Sequence, residues 1–300
     1  MRTVYLGTSE FAEAVLERLA ASPHRPLLVV TRPDRPRGRG RKVGPPPVAE
    51  AAGRLGLALF QPESVNDEDA RTRIAEADPD VVCICGFGAL LKEPLLAQHE
   101  MLNVHPSLLP RWRGAAPVER AIEAGDEETG VSIMRPTMEF DAGPVCLQRA
   151  EPIRPDDDYG SLAGRLALLG AELLVEALDT RPACHEQGDD GVTYARKIER
   201  EERRLDPQRM ADELERRVRA LTPHVGAYLD LPSGGRLGVR RAGLAATADL
   251  DPGELAVRDG RLLYGAGSGA LELFEVQPEG KRPMEAADWL RGHRHLLAEG

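Results

Sequence analysis

Three short apolar runs, "TVYLG" from Thr3, "PLLVVT" from Pro26 and "DVVCICGFG" from Asp80, restrict the fold of this chain more than any other feature. Each is almost uninterrupted by polar residues and is followed by glycine, proline or a polar stretch. A strand that is apolar on both sides has to be covered on both faces of its sheet. Between the first two runs lies "EFAEAVLERLAAS", where Phe11, Val15, Leu16 and Leu19 recur at helical spacing. The unit is β-α-β, and helical stretches at "VAEAAGRLG" and "DARTRIAEA" continue the alternation. The pattern predicts an α/β fold with an open, mostly parallel sheet. Its first turn, "LGTSEFAEA", has one glycine where a dinucleotide fingerprint needs three, which argues against NAD binding.

Further along, "AAPVERAIEAG" places Pro117 in a first helical turn and Gly125 at a stop, and "YGSLAGRLALLGAELLVEALD" has Leu162, Leu166, Leu169, Leu173 and Leu174 three or four apart. Composition changes after "QGDDG", where "KIEREERRLD" is too charged for a core. The next helix is expected to start at an Asp206 N-cap with Met210, Leu214, Val218 and Leu221 along one face. Short strands follow, punctuated by "PSGG", "RDG" and "GAGSG", with Asp259-Gly260 a hairpin turn, and "MEAADWLRG" closes as a helix. That spacing predicts a small OB-like β-barrel. The expected domains are 1–188, a linker at 189–205, and 206–300.

A length of 300 residues favours two domains over one, and 42% hydrophobic with 29% charged residues fits a folded globular chain. The start, "MRTVYLGTSEF", turns too early to be a signal peptide, and the apolar run from Val81 is about half the length of a membrane helix. A cytoplasmic protein away from membranes is expected. Four cysteines, at 83, 85, 146 and 184, are too few and scattered for a disulfide framework, and the pair in the third strand reads as buried thiols rather than metal ligands. A net charge of −10 excludes a protein that coats nucleic acid through general electrostatics. Any RNA contact needs a local basic patch.

The densest chemistry lies in "LNVHPSLLPRWRG", which starts at Leu102. In a strand, Asn103 and His105 point to one face, and Pro106 biases His105 toward an extended backbone. The strand is expected to end at His105 and expose it at the carboxyl edge of the sheet, where open α/β folds bind ligands. Asp141, in "FDAGP", sits in a turn able to bring a carboxylate to that edge. An amide, an imidazole and a carboxylate suit acyl transfer, as oxyanion donor, proton handler and orienting partner. On spacing alone, the alternatives are a hydrogen-bonded surface pair and an ordinary turn aspartate. His293-x-His295 reads as a solvated tail.

A second cluster is "TRPDRPRGRGRKVGPPP", where Arg32, Arg35, Arg37, Arg39, Arg41 and Lys42 face one acidic residue, Asp34. It is either a solvated charge run or, in an acidic chain, a grip for phosphates. Arg111 and Arg113 are placed to extend it.

These segments resemble the methionyl-tRNA formyltransferase family over nearly the whole chain. "NVHPSLLPRWRGAAPV" is similar to the signature of the formyltransferase domain, "RPDRPRGRGRK" to its inserted loop, "YARKIEREERRLD" to its linker and "EVQPEGKRPM" to the end of its C-terminal barrel. The resemblance implies a Rossmann-like formyltransferase domain followed by a tRNA-binding barrel. It implies Asn103, His105 and Asp141 as the catalytic trio, with Ser107, Leu108, Leu109, Pro110, Phe87 and Gly88 lining the folate site. Arg32, Arg37, Arg39, Arg41 and Lys42 would engage the tRNA acceptor end. The implied reaction moves the formyl group of 10-formyltetrahydrofolate to the α-amino group of methionyl initiator tRNA, without a metal, in a chain expected to be monomeric. The trio and donor are shared with sugar-nucleotide and purine-pathway formyltransferases; a non-catalytic RNA-binding protein would explain the basic loop and barrel alone.

Overall fold

The structure, a computed structural model, describes every residue except 38–41, 233, 247–248, 294–297 and 300. The described residues form two compact units, one of Met1–Pro117, Glu128–Pro152 and Ala163–Arg196, the other of Val118–Glu127, Ile153–Leu162 and Lys197–Gly300.

The chain runs β1 (Thr3–Gly7), α1 (Glu10–Ala20), β2 (Pro26–Val30), β3 (Arg35–Arg37), β4 (Lys42–Gly44), α2 (Pro47–Leu55), β5 (Leu59–Phe60), α3 (Glu68–Glu76), β6 (Val81–Cys85), α4 (Leu95–Gln98), β7 (Met101–His105) and β8 (Arg113–Gly114). It continues through α5 (Pro117–Ala124), β9 (Glu128–Met134), β10 (Val145–Pro152), α6 (Tyr159–Thr180) and β11 (Tyr194–Ala195). Among the described residues the first sheet has seven strands in the order β10-β9-β7-β6-β1-β2-β5. From β5 to β7 the neighbours are parallel, while β9 and β10 run antiparallel. This is the predicted α/β architecture. Every residue of β1 and β6 is buried, as uninterrupted apolar strands require. Ser9 caps α1 by accepting the Ala12 N–H at 3.2 Å, and Gly7 is needed in the tight turn before it, since a Cβ there would lie 2.7 Å from the Tyr5 ring.

At the two described ends of the basic segment, β3 and β4 pair antiparallel, Arg35 with Gly44, Pro36 with Val43 and Arg37 with Lys42. Burial pushes the Cys83 and Cys85 thiols up to about 12, so both are inert structural groups. A Cys146–Cys184 disulfide was not expected from sequence. Its partners lie 38 residues apart, and they meet because Val145 and His185 pair as an isolated antiparallel bridge beside them. Among the described residues no helix is long and apolar enough to cross a membrane.

The second unit holds α7 (Ala211–Leu221), β12 (Ala227–Asp230), β13 (Arg236–Leu244), β14 (Leu255–Arg258), β15 (Arg261–Gly265), β16 (Ala270–Pro278), β17 (Met284–Glu285), α8 (Ala286–His293) and β18 (Ala298–Glu299). Its sheet follows the order β12-β13-β16-β15-β14-β18, with β17 on β16, and all pairs but β14–β18 are antiparallel. Asp259 and Gly260, at φ 50° and 77°, make the predicted two-residue turn. Leu214, Val218 and Leu221 of α7 and Trp289 and Leu290 of α8 close the core. Helix α7 starts later than the Asp206 cap suggested, because the Gly267 N–H takes the Arg209 carbonyl at 2.8 Å and the Ala211 N–H takes the Ser268 carbonyl at 3.0 Å. That pairing holds Met210 extended, at φ −69° and ψ 150°, and it is 49% exposed instead of on the apolar face. His293 stacks on Trp289 with ring centroids 4.6 Å apart, while His295 lies outside the described residues.

Within this unit Glu202 accepts from the Arg120 guanidinium at 2.8 and 3.0 Å and from the Glu199 N–H at 2.8 Å. The Arg120 bonds hold its carboxyl below the ordinary range. A carboxylate depressed in the folded state stabilises it above the unfolded value of about 4.3 and loses that contribution as pH falls through the folded value. Glu202→Gln should therefore cost about 1–3 kcal/mol in urea unfolding at pH 7, with the difference from wild type shrinking in acid.

Candidate active site

Strand β7 ends at His105, which the following Pro106 requires, and carries Asn103 and His105 on one face. Strand β9 runs the opposite way, with Met134 beside Asn103 and Ser132 beside His105. The turn from Arg135 to Pro144 therefore leaves level with Asn103. It closes through the Arg135 N–H to the Pro144 carbonyl at 2.9 Å, and a Cβ on Gly143 would lie 2.0 Å from the Arg135 carbonyl oxygen. Asp141 comes back over the face that carries the other two side chains.

The three sequence-predicted residues meet. Asp141 Oδ1 lies 3.5 Å from Asn103 Nδ2, and Oδ2 lies 3.5 Å from His105 Nδ1. The Gly114 N–H donates to Asp141 Oδ2 at 2.9 Å, and His105 Nε2 donates to the Trp112 carbonyl at 2.9 Å. A carbonyl only accepts, so Nε2 carries a proton and Nδ1 is the nitrogen turned toward the shared space. One expectation is corrected: His105 is 4% exposed, because the loop from Pro106 to Gly114 folds back and lays the Trp112 carbonyl on its ring. Trp112 and Asp141 have φ of 62° and 51°, a region non-glycine residues rarely adopt, so tertiary bonds hold both sides of the site.

The segment expected to line a donor site is stapled by residues that sequence reasoning missed. Ser132 Oγ, fully buried, donates to the Ser107 carbonyl at 2.6 Å and accepts from the Leu109 N–H at 3.1 Å and from Gln148 Nε2 at 2.9 Å. Gln148 Nε2 also donates to the Leu109 carbonyl at 2.8 Å. Ser107 spends its hydroxyl on the Arg111 carbonyl at 2.6 Å, and Leu109 and Phe87 are buried. Leu108 and Pro110 are half-buried and Gly88 is exposed, so these three present surface there. The sequence signal for Ser132 was a polar residue inside the apolar run from Val131 to Met134. Thr193 fixes the other end, accepting the Trp112 N–H on Oγ1 at 2.9 Å, and Gly114 is needed because a Cβ would lie 2.8 Å from the Ala195 carbonyl oxygen.

Of the basic residues, Arg32 places its guanidinium near Gly88, where a Cβ would lie 3.5 Å from it. Arg37 and Lys42 close the β3–β4 ladder through their backbones, and Arg39 and Arg41 lie outside the described residues. Arg113 donates from Nε to Gln187 Oε1 at 3.0 Å.

The family model described as "Formyl transferase" matches residues 1–178, and "Formyl transferase, C-terminal domain" matches 197–294. The chain is 45% identical over 300 residues to methionyl-tRNA formyltransferase of Methylococcus capsulatus, covering 98% of this chain and 97% of that one. This chain belongs to the methionyl-tRNA formyltransferase family. HypX from Aquifex aeolicus, solved in complex with tetrahydrofolic acid, shares the fold at a TM-score of 0.68 and 20% identity over 100% of this chain, which spans about half (48%) of that protein. WlaRD, a sugar 3N-formyl transferase solved with dTDP and 5-N-formyl-THF, shares it at 0.64 and 13% identity, over 94% of this chain and 99% of that one.

Ser132→Ala removes the hydroxyl that serves the Leu109 N–H and the Ser107 carbonyl together, leaving a buried donor and a buried acceptor without it. A loss of about 2 kcal/mol in denaturant unfolding is expected; a loss within error would mean that the staple does not hold the loop.

Proposed function

We propose that this chain transfers the formyl group of 10-formyltetrahydrofolate to the α-amino group of methionyl initiator tRNA, in the cytoplasm and as a monomer. The observation that carries the reading is the meeting of Asn103, His105 and Asp141 around one space in a chain of this family. An α-amino group has a reference pKa of about 8, and esterification to tRNA lowers it, so a free amine is accessible near neutrality. As the amine adds to the formyl carbon, the formyl oxygen gains charge. Asn103 Nδ2 and His105 Nδ1 are the donors turned toward that position, and a donor of this kind is worth about 3 kcal/mol. Asp141, with Oδ2 3.5 Å from Nδ1, orients His105 beside that position. Its Oδ1, which meets Asn103 only at 3.5 Å, is available to pass a proton through water from the amine to the departing folate nitrogen. The new C–N bond forms first, the oxyanion then collapses and breaks the bond to the folate nitrogen, and the proton lost by the amine ends on that nitrogen.

Leu108, Pro110 and Gly88, which keep exposed surface, are the proposed contacts for the donor, and Ser107, Leu109 and Phe87 are buried. Met138 and Phe140, 55% and 64% exposed on the Asp141 turn, add apolar surface next to the carboxylate. Residues 206–300 form the proposed tRNA-binding domain, and Arg32, Arg37, Arg39, Arg41 and Lys42 the proposed grip on the acceptor end; a dense basic segment in a chain of charge −10 supports that role.

The deciding experiment is the mass of charged initiator tRNA after incubation with the protein and 10-formyltetrahydrofolate, with an amino-sugar nucleotide as rival acceptor. A formyl adduct on the tRNA alone is expected, and His105→Ala should lower kcat roughly 100-fold with donor affinity kept. An adduct on the sugar, or on neither acceptor, would reject the proposal. Arg39→Ala should weaken tRNA use and reduce the salt slope by about one, leaving donor binding unchanged; a defect confined to donor binding would show the basic segment misassigned.

A further inference from the structure

The turn that carries Asp141 is held by a residue for which the proposed chemistry has no use. Gln187 Nε2 donates to the Asp141 carbonyl at 2.8 Å and to the Gly143 carbonyl at 2.8 Å, and its Oε1 accepts from Arg113 Nε at 3.0 Å. One amide thus ties the backbone of the Asp141 turn to the side chain of Arg113. The next residue, Gly114, holds the Asp141 carboxylate through its N–H at 2.9 Å. The bonds close a ring: Gln187 to Arg113, through the chain to the Gly114 N–H, to Asp141 Oδ2, along Asp141 to its carbonyl, and back to Gln187. Asp141 needs such a ring, because at φ 51° its backbone gains nothing from intrinsic preference. Gln187 is itself anchored. Val145 and His185 exchange N–H to carbonyl bonds at 2.8 and 2.9 Å, and Cys184 is bonded to Cys146. These links leave the segment little freedom between its attachment to β10 and the amide.

We propose that Gln187 is a positioning residue that sets where the Asp141 carboxylate stands relative to His105. Loss of its two N–H donors frees the turn, and an error near 1 Å at a reacting group costs on the order of 100-fold in rate. The proposal rests on the reading of Asp141 as a reacting group, so the test is a double-mutant cycle that examines both. Gln187→Leu should lower kcat roughly 10- to 100-fold, with KM for the folate donor and for tRNA changed less than about threefold. Gln187→Glu keeps the length and the acceptor for Arg113 but has no N–H to give, and it should fall by the same order; it serves alone if the Leu variant does not fold. In an Asp141→Asn background either substitution should cost less than about twofold more, since the group it positions is already disabled.

Equal losses in both backgrounds would show that Gln187 only supports the fold and would overturn the proposal, as would wild-type kcat in Gln187→Glu. Wild-type turnover by Asp141→Asn would instead remove Asp141 from the mechanism, and this inference with it.

Discussion

The hydrogen bond from the Gly114 N–H to Asp141 Oδ2 joins the two pieces of chain that make the candidate site. On one side lies the loop after β7, on the other the turn between β9 and β10. Neither has intrinsic reason to adopt its path: Trp112 and Asp141 both stand at positive φ, and Gly114 sits where no Cβ would fit against the Ala195 carbonyl. The strain is offset by bonds that converge on the same few atoms. His105 is oriented by the Trp112 carbonyl, Trp112 by Thr193, and the start of the loop by Ser132 and Gln148. Directional bonds that converge in this way fix one geometry more sharply than apolar packing does.

The antiparallel addition of β9 to a parallel sheet has a consequence for the chemistry. Had β9 run parallel to β7, its following turn would have left beyond His105, away from Asn103. Running backwards, it delivers residue 141 to a point over both side chains, with the amide at one carboxylate oxygen and the imidazole at the other. Burial of His105 also follows, because the returning loop and turn cover the ring. A buried imidazole whose Nε2 donates to a backbone carbonyl is held in one ring orientation.

Much of this was legible in the residues. Strand runs and helical periodicity in the first part of the chain led to its sheet, and the alternation in "LNVHP" placed Asn103 and His105 on one face. What was not legible depended on distant backbone. Asp206 has a good N-cap side chain, yet residues 209–210 pair with 267–268, and local propensity yields to that ladder. The exposure expected of His105 failed because no local rule says that a loop rich in proline and arginine will fold its own carbonyl onto the ring. Cys146 and Cys184 carry no spacing signal, and Gln187 lies in a glycine-rich stretch whose composition marks a boundary rather than a bond.

Charge gives the last step of the synthesis. A surface of net −10 repels a polyanion everywhere except where cations are dense, and in the sequence that density is greatest between Arg32 and Lys42. In a chain of this charge, attraction confined to one segment would act as orientation, because a polyanion is repelled from most directions and drawn toward one. Arg32, beside Gly88, links that segment to the end of β6, which neighbours β7 and its His105. The trio, by contrast, stands among backbone dipoles, with the Trp112 carbonyl on the His105 ring and the Gly114 N–H on the Asp141 carboxylate, so local bonds rather than the field of the whole chain set its geometry.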